Sequence, residues 1–213
     1  MTRQMKNLIK YILILLIIVL VGYKSVYIKK LSEVKNTAAG NFDAVAFTQK
    51  LWDEKLPPKL DSAIDLKQLI SAIKTNPPEA FLRYTNAIGI GNYRYGLVRV
   101  TGIASVINDD DIIMEVANAD TTLRLRLATE YIYGNAIRDA SKLVDIRDFA
   151  NTTDLNNVSE QLNKKVRSSI LPPFKKQVKQ GDRIEVTGAV EFNKEHIRFN
   201  DLELIPVRLN IVP

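Results

Sequence analysis

The sequence feature that most constrains the fold is a tripeptide that occurs twice, far apart in the chain. Val100-Thr101-Gly102 recurs as Val186-Thr187-Gly188, each time within alternating apolar and polar sequence. Such alternation is typical of a β-strand with one buried face. A glycine inside a strand marks a bulge or sharp bend, and a small barrel needs such bends to close. The repeat therefore predicts two bent strands of one barrel.

The order of the predicted elements indicates which barrel this is. In the third predicted strand Leu123, Leu125 and Leu127 share one face, because side chains alternate along a strand. Asp154 is placed to cap a helix before the fourth strand. Three strands, a helix and two strands is the order of an OB-fold. The predicted strands are Gly96–Ile107, Ile112–Ala117, Thr121–Ala128, Arg183–Phe192 and His196 to about Val212.

We therefore expect an α+β protein, an OB-like five-stranded barrel with a helical extension and one N-terminal transmembrane helix. The extension should carry a first helix that ends at Pro57-Pro58 and a second that ends at Pro77-Pro78, since proline interrupts a helix. Trp52 should dock the first helix onto the barrel. The predicted segments are a signal anchor at 1–30, a linker at 31–41, the extension at 42–92, and the barrel at 93–213 with a helical insertion at 129–180.

The transmembrane prediction rests on an unbroken apolar run from Tyr11 to Tyr23. Residues 8–28 are long enough to cross a bilayer if Lys10 and Lys24 reach the head groups. A cleaved signal peptide is the alternative, but no small-x-small cleavage pattern follows Gly22. We expect an uncleaved, single-pass anchor in the inner (cytoplasmic) membrane, with the folded domain in the periplasm.

Charge and cysteine content exclude several classes of protein. Six of the 30 basic residues lie within residues 1–30, which contain no acidic residue. The rest of the chain therefore has 24 basic and 24 acidic residues and is formally neutral. A nucleic-acid-binding domain would carry the positive excess itself. The absence of cysteine excludes a thiolate metal site, a cysteine nucleophile and a lipid-modified cysteine within this sequence.

The candidate ligand-binding residues fall into two groups. One polar pocket suited to a hydroxyl-rich ligand could be lined by Arg138, Asp139, Arg147, Asp148, Asn151 and Asn163, because binding residues concentrate in loops on a rigid barrel. The alternative, which we favour, is a buried salt-bridge network that pins the irregular segment after the third strand to the barrel.

The second group is Arg124 and Arg126, which project from the outer side of the third strand. They could hold an anionic group, in the region where OB-folds bind ligands. The favoured alternative is a solvated face on which they pair with acids such as Glu115.

We predict no enzyme, no metal and no cofactor. His196, the only histidine, has no partners at the spacing of a triad or a metal site and should be exposed. Asp109-Asp110-Asp111 lacks the spaced ligands of a calcium loop, and we expect it to form a solvated hairpin turn. A hydrolase that uses Asp139 and Asp148 as paired carboxylates is supported by residue type alone.

The soluble part also resembles the bacterial domain-of-unknown-function family 2291, predicted periplasmic lipoproteins. The resemblance rests on the order and spacing of these segments: Phe42-Asp43, Leu51-Trp52-Asp53-Glu54-Lys55, Gly134-Asn135-Ala136-Ile137-Arg138-Asp139, Asp148-Phe149-Ala150-Asn151, Leu162-Asn163-Lys164-Lys165-Val166, Gly181 through Thr187-Gly188-Ala189, and Pro206-Val207. It implies export and a possible association with sugar ABC transporters. The lipobox cysteine is missing, and Asn135 replaces an expected threonine.

The function expected from these observations is an anchored extracytoplasmic binding or accessory module. It would act with the membrane, through residues 8–28, and with a transporter component or a small polar ligand. A nucleic-acid-binding OB-fold protein is the first alternative, which the balanced charge of the soluble part opposes. A hydrolase is the second.

Overall fold

The computed structural model describes residues 3–25, 42–118 and 121–213, and the chain divides into two units, 1–41 and 42–213. In the first unit Arg3–Ser25 is a helix, and its apolar side chains from Tyr11 to Ile18 are all exposed. Among residues 3–25, 42–118 and 121–213, no helix has the length and apolar character needed to cross a membrane. The predicted linker 31–41 and the end of the predicted anchor lie outside the described residues.

The second unit is built on a closed five-stranded barrel. The strands are β3 (Tyr93–Ile107), β4 (Asp111–Asn118), β5 (Thr121–Ala128), β6 (Arg183–Asn193) and β7 (Leu202–Val212), after two short strands, β1 (Ile64–Asp65) and β2 (Thr85–Asn86), that pair with β3. The barrel follows the order β3–β4–β5–β7–β6, and β6 pairs back onto β3. Only β5 and β7 in this ring run parallel. The predicted OB-like barrel is confirmed.

The glycines of the repeated tripeptide stand where two barrel strands approach too closely for a side chain. A Cβ on Gly188 would lie 2.2 Å from the carbonyl oxygen of Ile205, and one on Gly102 would lie 2.6 Å from that of Glu115. The register between β6 and β7 shifts between Thr187 and Gly188. The glycines thus permit the bends that close the sheet.

Two details of the predicted strands are wrong. Strict alternation along the first predicted strand places Val106 on the buried face with Val100, but Val106 is 44% exposed because the register with β4 shifts between Ala104 and Val106. The fifth strand begins at Leu202 rather than His196. Asn193 accepts hydrogen bonds from the backbone N–H groups of two residues in the following loop, which lengthens the turn.

Two hydrophobic cores lie on opposite faces of the strands. The first fills the barrel and includes Val98, Leu125 and Val186, against the helices Leu66–Thr75 and Pro77–Tyr84. The second lies outside the barrel, where the remaining helices of this unit cover strands β3, β6 and β7. These helices are Ala44–Lys50, Leu56–Asp61, Ala136–Ser141, Thr152–Lys165 and Leu171–Lys175, with a 3₁₀ turn at Ile146–Asp148.

The helix Leu66–Thr75 ends before Pro77-Pro78, as predicted, but Pro57-Pro58 does not end its helix. A π-helical turn precedes each Leu-Pro-Pro, at Leu51–Lys55 and at Val166–Ile170, and α-helix resumes through the prolines. Proline lacks an N–H and clashes with the carbonyl four residues earlier. The wider turn relieves this conflict and places the prolines at the start of the next helix, where no N–H is needed. Pro77 likewise starts a helix, capped by Asn76.

Candidate functional site

The segment between β5 and the helix Thr152–Lys165 carries a buried ion pair of neighbours in sequence. Arg138 Nε donates to Asp139 Oδ1 at 2.7 Å, and the two side chains are 5% and 0% exposed. Both lie on the short helix Ala136–Ser141, which packs against β3 and β6. A carboxylate this deeply buried is stable only when further hydrogen bonds satisfy its oxygens.

Those further bonds connect the short helix to the barrel. The Asp139 carboxylate also accepts from Asn135 Nδ2 at 2.7 Å and from the backbone N–H of Ile88 at 3.1 Å. The Asp139 carbonyl accepts from Asn86 Nδ2 on β2. Asp139 is therefore the centre of a network that fixes the segment, as the favoured sequence interpretation expected.

Tyr95 of β3 joins the same network from the barrel side. Its hydroxyl donates to Asn135 Oδ1 at 3.3 Å. Burial, followed by the negative charge of Glu191 on β6, raises the pKa of Tyr95 to about 12. The phenol therefore stays protonated and acts as a permanent hydrogen-bond donor at neutral pH.

Arg138 also faces an open cleft of about 410 Å³ between this segment and the helix Thr152–Lys165. Its Nη1 lies 3.5 Å from the carbonyl oxygen of Leu155, at the edge of hydrogen-bonding distance. Within the described part of the chain, the other guanidinium N–H groups have no partner. The cleft is lined by Tyr133, Gly134, Asn135, Arg138, Asn156, Ser159, Glu160, Asn163 and Arg167.

Ser159 gives the cleft a second unsatisfied polar group. It is 7% exposed, and its Oγ has no hydrogen-bond partner among the described residues. A buried hydroxyl without a partner costs about 1–3 kcal/mol. The lining of the cleft thus includes a buried hydroxyl without a partner, at Ser159, and a guanidinium with N–H groups to spare, at Arg138.

Gly134 and Asn163 hold the rim of the cleft in place. Gly134 has φ 76°, a left-handed conformation that favours glycine. Its carbonyl accepts from Asn163 Nδ2 at 2.8 Å, which ties the irregular segment to the cleft helix. The Asn163 carboxamide oxygen accepts no hydrogen bond from any described residue.

The π-helical turn brings Arg167 to the same cleft. Its guanidinium donates to the carbonyl of Ile132 and lies over the ring of Tyr133, 5.4 Å from the centroid. Arg167 follows Asn163 by four residues, across the start of the wide turn. Pro172, which requires that turn, therefore helps to set where Arg167 lies.

The structure separates the remaining predicted site residues from the cleft. Asn151 caps the helix Thr152–Lys165 by accepting from Asp154 N at 2.9 Å, a role that had been assigned to Asp154. Arg126 pairs with Asp111 at 3.3 Å and Glu203 at 3.7 Å on the outer face of the barrel. Arg124 is exposed and lies opposite Glu115.

The carboxylates that a hydrolase would pair are also apart. Asp139 is enclosed in its network, whereas Asp148 lines a different recess. Arg147, another polar residue of this segment, bonds to Asp145 and holds its pKa at about 2. No cluster of potential metal ligands occurs in residues 3–25, 42–118 and 121–213, and His196 is exposed.

Of the residues that the helix contributes to the cleft, the sequence analysis identified Asn163 and missed the other three. Asn156, Ser159, Glu160 and Asn163 repeat at intervals of three and four, which places them on one helical face. This polar stripe lies beside the apolar face of the helix, which includes Leu155, Val158 and Leu162. The spacing of these polar residues could have indicated the cleft, but the polar face of a surface helix commonly faces water and has no further role.

The fold and the cleft together define a small OB-fold protein with a helical cover. The chain belongs to the family of predicted periplasmic lipoproteins DUF2291, whose match spans residues 16–210. No curated protein matches the chain. A solved structure of an OB-fold protein from Thermotoga maritima is similar, with 26% identity and a TM-score of 0.70 over 81% of this chain and 99% of that one.

Proposed function

We propose that the folded unit is a non-enzymatic binding module whose cleft takes a small, hydroxyl-rich ligand such as a monosaccharide. The observation that carries the proposal is the buried Ser159 hydroxyl, which has no hydrogen-bond partner among the described residues, in the same cleft as the incompletely bonded Arg138 guanidinium. A hydroxyl-rich ligand supplies hydrogen-bond acceptors for the Arg138 guanidinium, and it supplies either a donor or an acceptor for the Ser159 hydroxyl.

The remaining lining fits the same ligand class. Arg138 is neutralised by Asp139, and the cleft also holds one cation, Arg167, and one anion, Glu160. The balanced charge favours an uncharged ligand. Tyr133 is 66% exposed, so its ring offers a face on which an apolar sugar face can pack.

The test is a titration of the full-length chain, in neutral detergent, with a panel of neutral monosaccharides, followed by calorimetry. Ser159→Ala should weaken binding several-fold, since one hydrogen bond contributes about 0.5–1.5 kcal/mol, and Ser159→Leu should abolish it by filling the cleft. Ser169→Leu is the matched control, because Ser169 is exposed and lies outside the cleft. Failure of every sugar to bind the unaltered protein would contradict the proposal.

We also propose that residues 8–28 attach the domain to the inner membrane. The family is described as lipoproteins, but these 213 residues contain no cysteine to carry a lipid. The apolar stretch extends to Ile28, beyond the last described residue of the first helix. Replacement of residues 1–28 by a cleavable signal peptide should release the protein into the soluble periplasmic fraction, and continued membrane pelleting would contradict this attachment.

The proposed partner is a component of a sugar ABC transporter, an idea supported only by the family resemblance. Crosslinking of the full-length protein in native membranes should recover a transporter subunit. Loss of that crosslink in Ser159→Leu would connect it with the cleft.

A further inference from the structure

A second recess of about 150 Å³ lies where the extension meets the short helix Ala136–Ser141. It is separate from the cleft. Three cationic side chains from three different segments line it, Lys59, Arg83 and Lys142, and none of its lining residues is acidic. Such a concentration is unexpected in a domain whose total charge is balanced.

The three cations have no carboxylate partners among the described residues. Lys142 also lines a neighbouring recess with Asp145 and Asp148, of which Asp145 is paired with Arg147. Asp61 pairs with Arg208 at 2.7 Å, and Asp139 pairs with Arg138. The positive field in the recess is therefore not cancelled by the protein itself.

The backbone holds Lys142 in an uncommon conformation at this recess. Lys142 follows the helix Ala136–Ser141 with φ 56°, in the left-handed region where glycine is usual. Its Nζ donates to the carbonyl of Arg83 at 2.9 Å, which brings the two cationic residues to one wall. A lysine that is strained in this way and is held beside another cation suggests use of its charge.

The environment of Lys142 is also electrostatically unfavourable. Burial lowers the pKa of its ammonium group, and the positive charges of Lys59 and Arg94 lower it further. A bound anion would oppose the lowering of the Lys142 pKa by the positive charges of Lys59 and Arg94.

We infer that this recess binds a phosphate group, held by Lys59, Arg83 and Lys142. Phosphate presents several charged acceptor oxygens, which suit an arginine and two lysines on different sides. The volume of about 150 Å³ exceeds that of several water molecules, at about 30 Å³ each. The group is either free inorganic phosphate or the phosphodiester of an anionic lipid headgroup.

The experiment titrates the full-length protein, in neutral detergent, with inorganic phosphate and with short-chain phosphatidylglycerol. Short-chain phosphatidylcholine serves as the uncharged comparison. Lys59→Gln, Arg83→Gln and Lys142→Gln should each weaken binding about tenfold or more, the loss of one charge-assisted hydrogen bond. Lys164→Gln is the control, because Lys164 is exposed and does not line the recess.

Binding of either anionic probe that weakens in all three variants, with unchanged unfolding midpoints, supports the site, and the tighter probe identifies the source. No binding of either probe at millimolar concentration would overturn the inference. Binding that all three variants retain would overturn it equally, as would equal binding of phosphatidylcholine. None of these results depends on sugar binding in the cleft.

Discussion

Arg138 and Asp139 are adjacent in sequence, yet their side chains form a buried ion pair with Nε and Oδ1 2.7 Å apart. Removal of one partner from a buried pair leaves the other charge uncompensated, at a cost of about 3–5 kcal/mol. Asp139→Ala should therefore lower the free energy of unfolding by about that amount in urea denaturation. Arg138→Met should cost less, because Asn135 and the Ile88 N–H still bond to the carboxylate. Equal stability of Asp139→Ala and the unaltered protein would contradict this interpretation.

The close approach at Gly188 predicts a severe effect from one added methyl group. The obstacle is the backbone oxygen of Ile205, 2.2 Å from the new Cβ, so rotation of a side chain gives no relief. Gly188→Ala should cost about 3 kcal/mol or prevent folding. Gly89→Ala is the control, since nothing lies within 4 Å of its Cβ. Similar unfolding midpoints in the two variants would show that β6 and β7 can separate at this point.

The raised pKa of Tyr95 predicts a loss of stability at high pH. The unfolded phenol ionises near pH 10, but the folded one ionises near pH 12. The unfolded chain therefore loses its proton first, and this contribution to stability is complete below pH 10 and is lost as the pH rises toward 12. Tyr95→Phe should flatten the pH dependence of unfolding in that range. If the stability of Tyr95→Phe depends on pH as steeply as that of the unaltered protein in this range, the loss of stability at high pH arises from other groups.

The left-handed conformation of Lys142 predicts that two small replacements will differ. A Cβ in this conformation costs about 1–2 kcal/mol, and glycine has none. Both Lys142→Ala and Lys142→Gly lose the bond to the Arg83 carbonyl, so their difference isolates the backbone. Lys142→Gly should be the more stable variant by about 1 kcal/mol in chemical denaturation. Alanine as the more stable residue would mean that the helix end has rearranged.

The barrel could be predicted from the sequence because its signals are local. Alternation in Leu123, Leu125 and Leu127 fixes a strand face, and the repeated glycines mark bends whether or not their neighbours are known. The exposed position of Val106 could not be predicted, because a bulge depends on the partner strand and reverses the face of every later residue.

The cleft was less predictable because it depends on contacts between distant segments. The sequence indicates Arg138 and Asn163 as candidate binding residues because they are polar and lie in or near the irregular segment. Only the structure places Ser159 in the same cleft as Arg138. The π-helical turns were missed because proline was read as a helix end. The alternative, a widened turn that lets the helix continue, leaves no separate mark in the sequence.

The parallel pairing of β5 with β7 has a consequence for biogenesis. Until residues 202–212 are available, β5 and β6 each present an unpaired edge, and the ring stays open. A nascent chain that lacks this last strand cannot close the barrel, and we expect it to stay extended until residues 202–212 have been made. Delayed closure of this kind would suit the export of an unfolded chain, in keeping with the description of the family as predicted periplasmic lipoproteins.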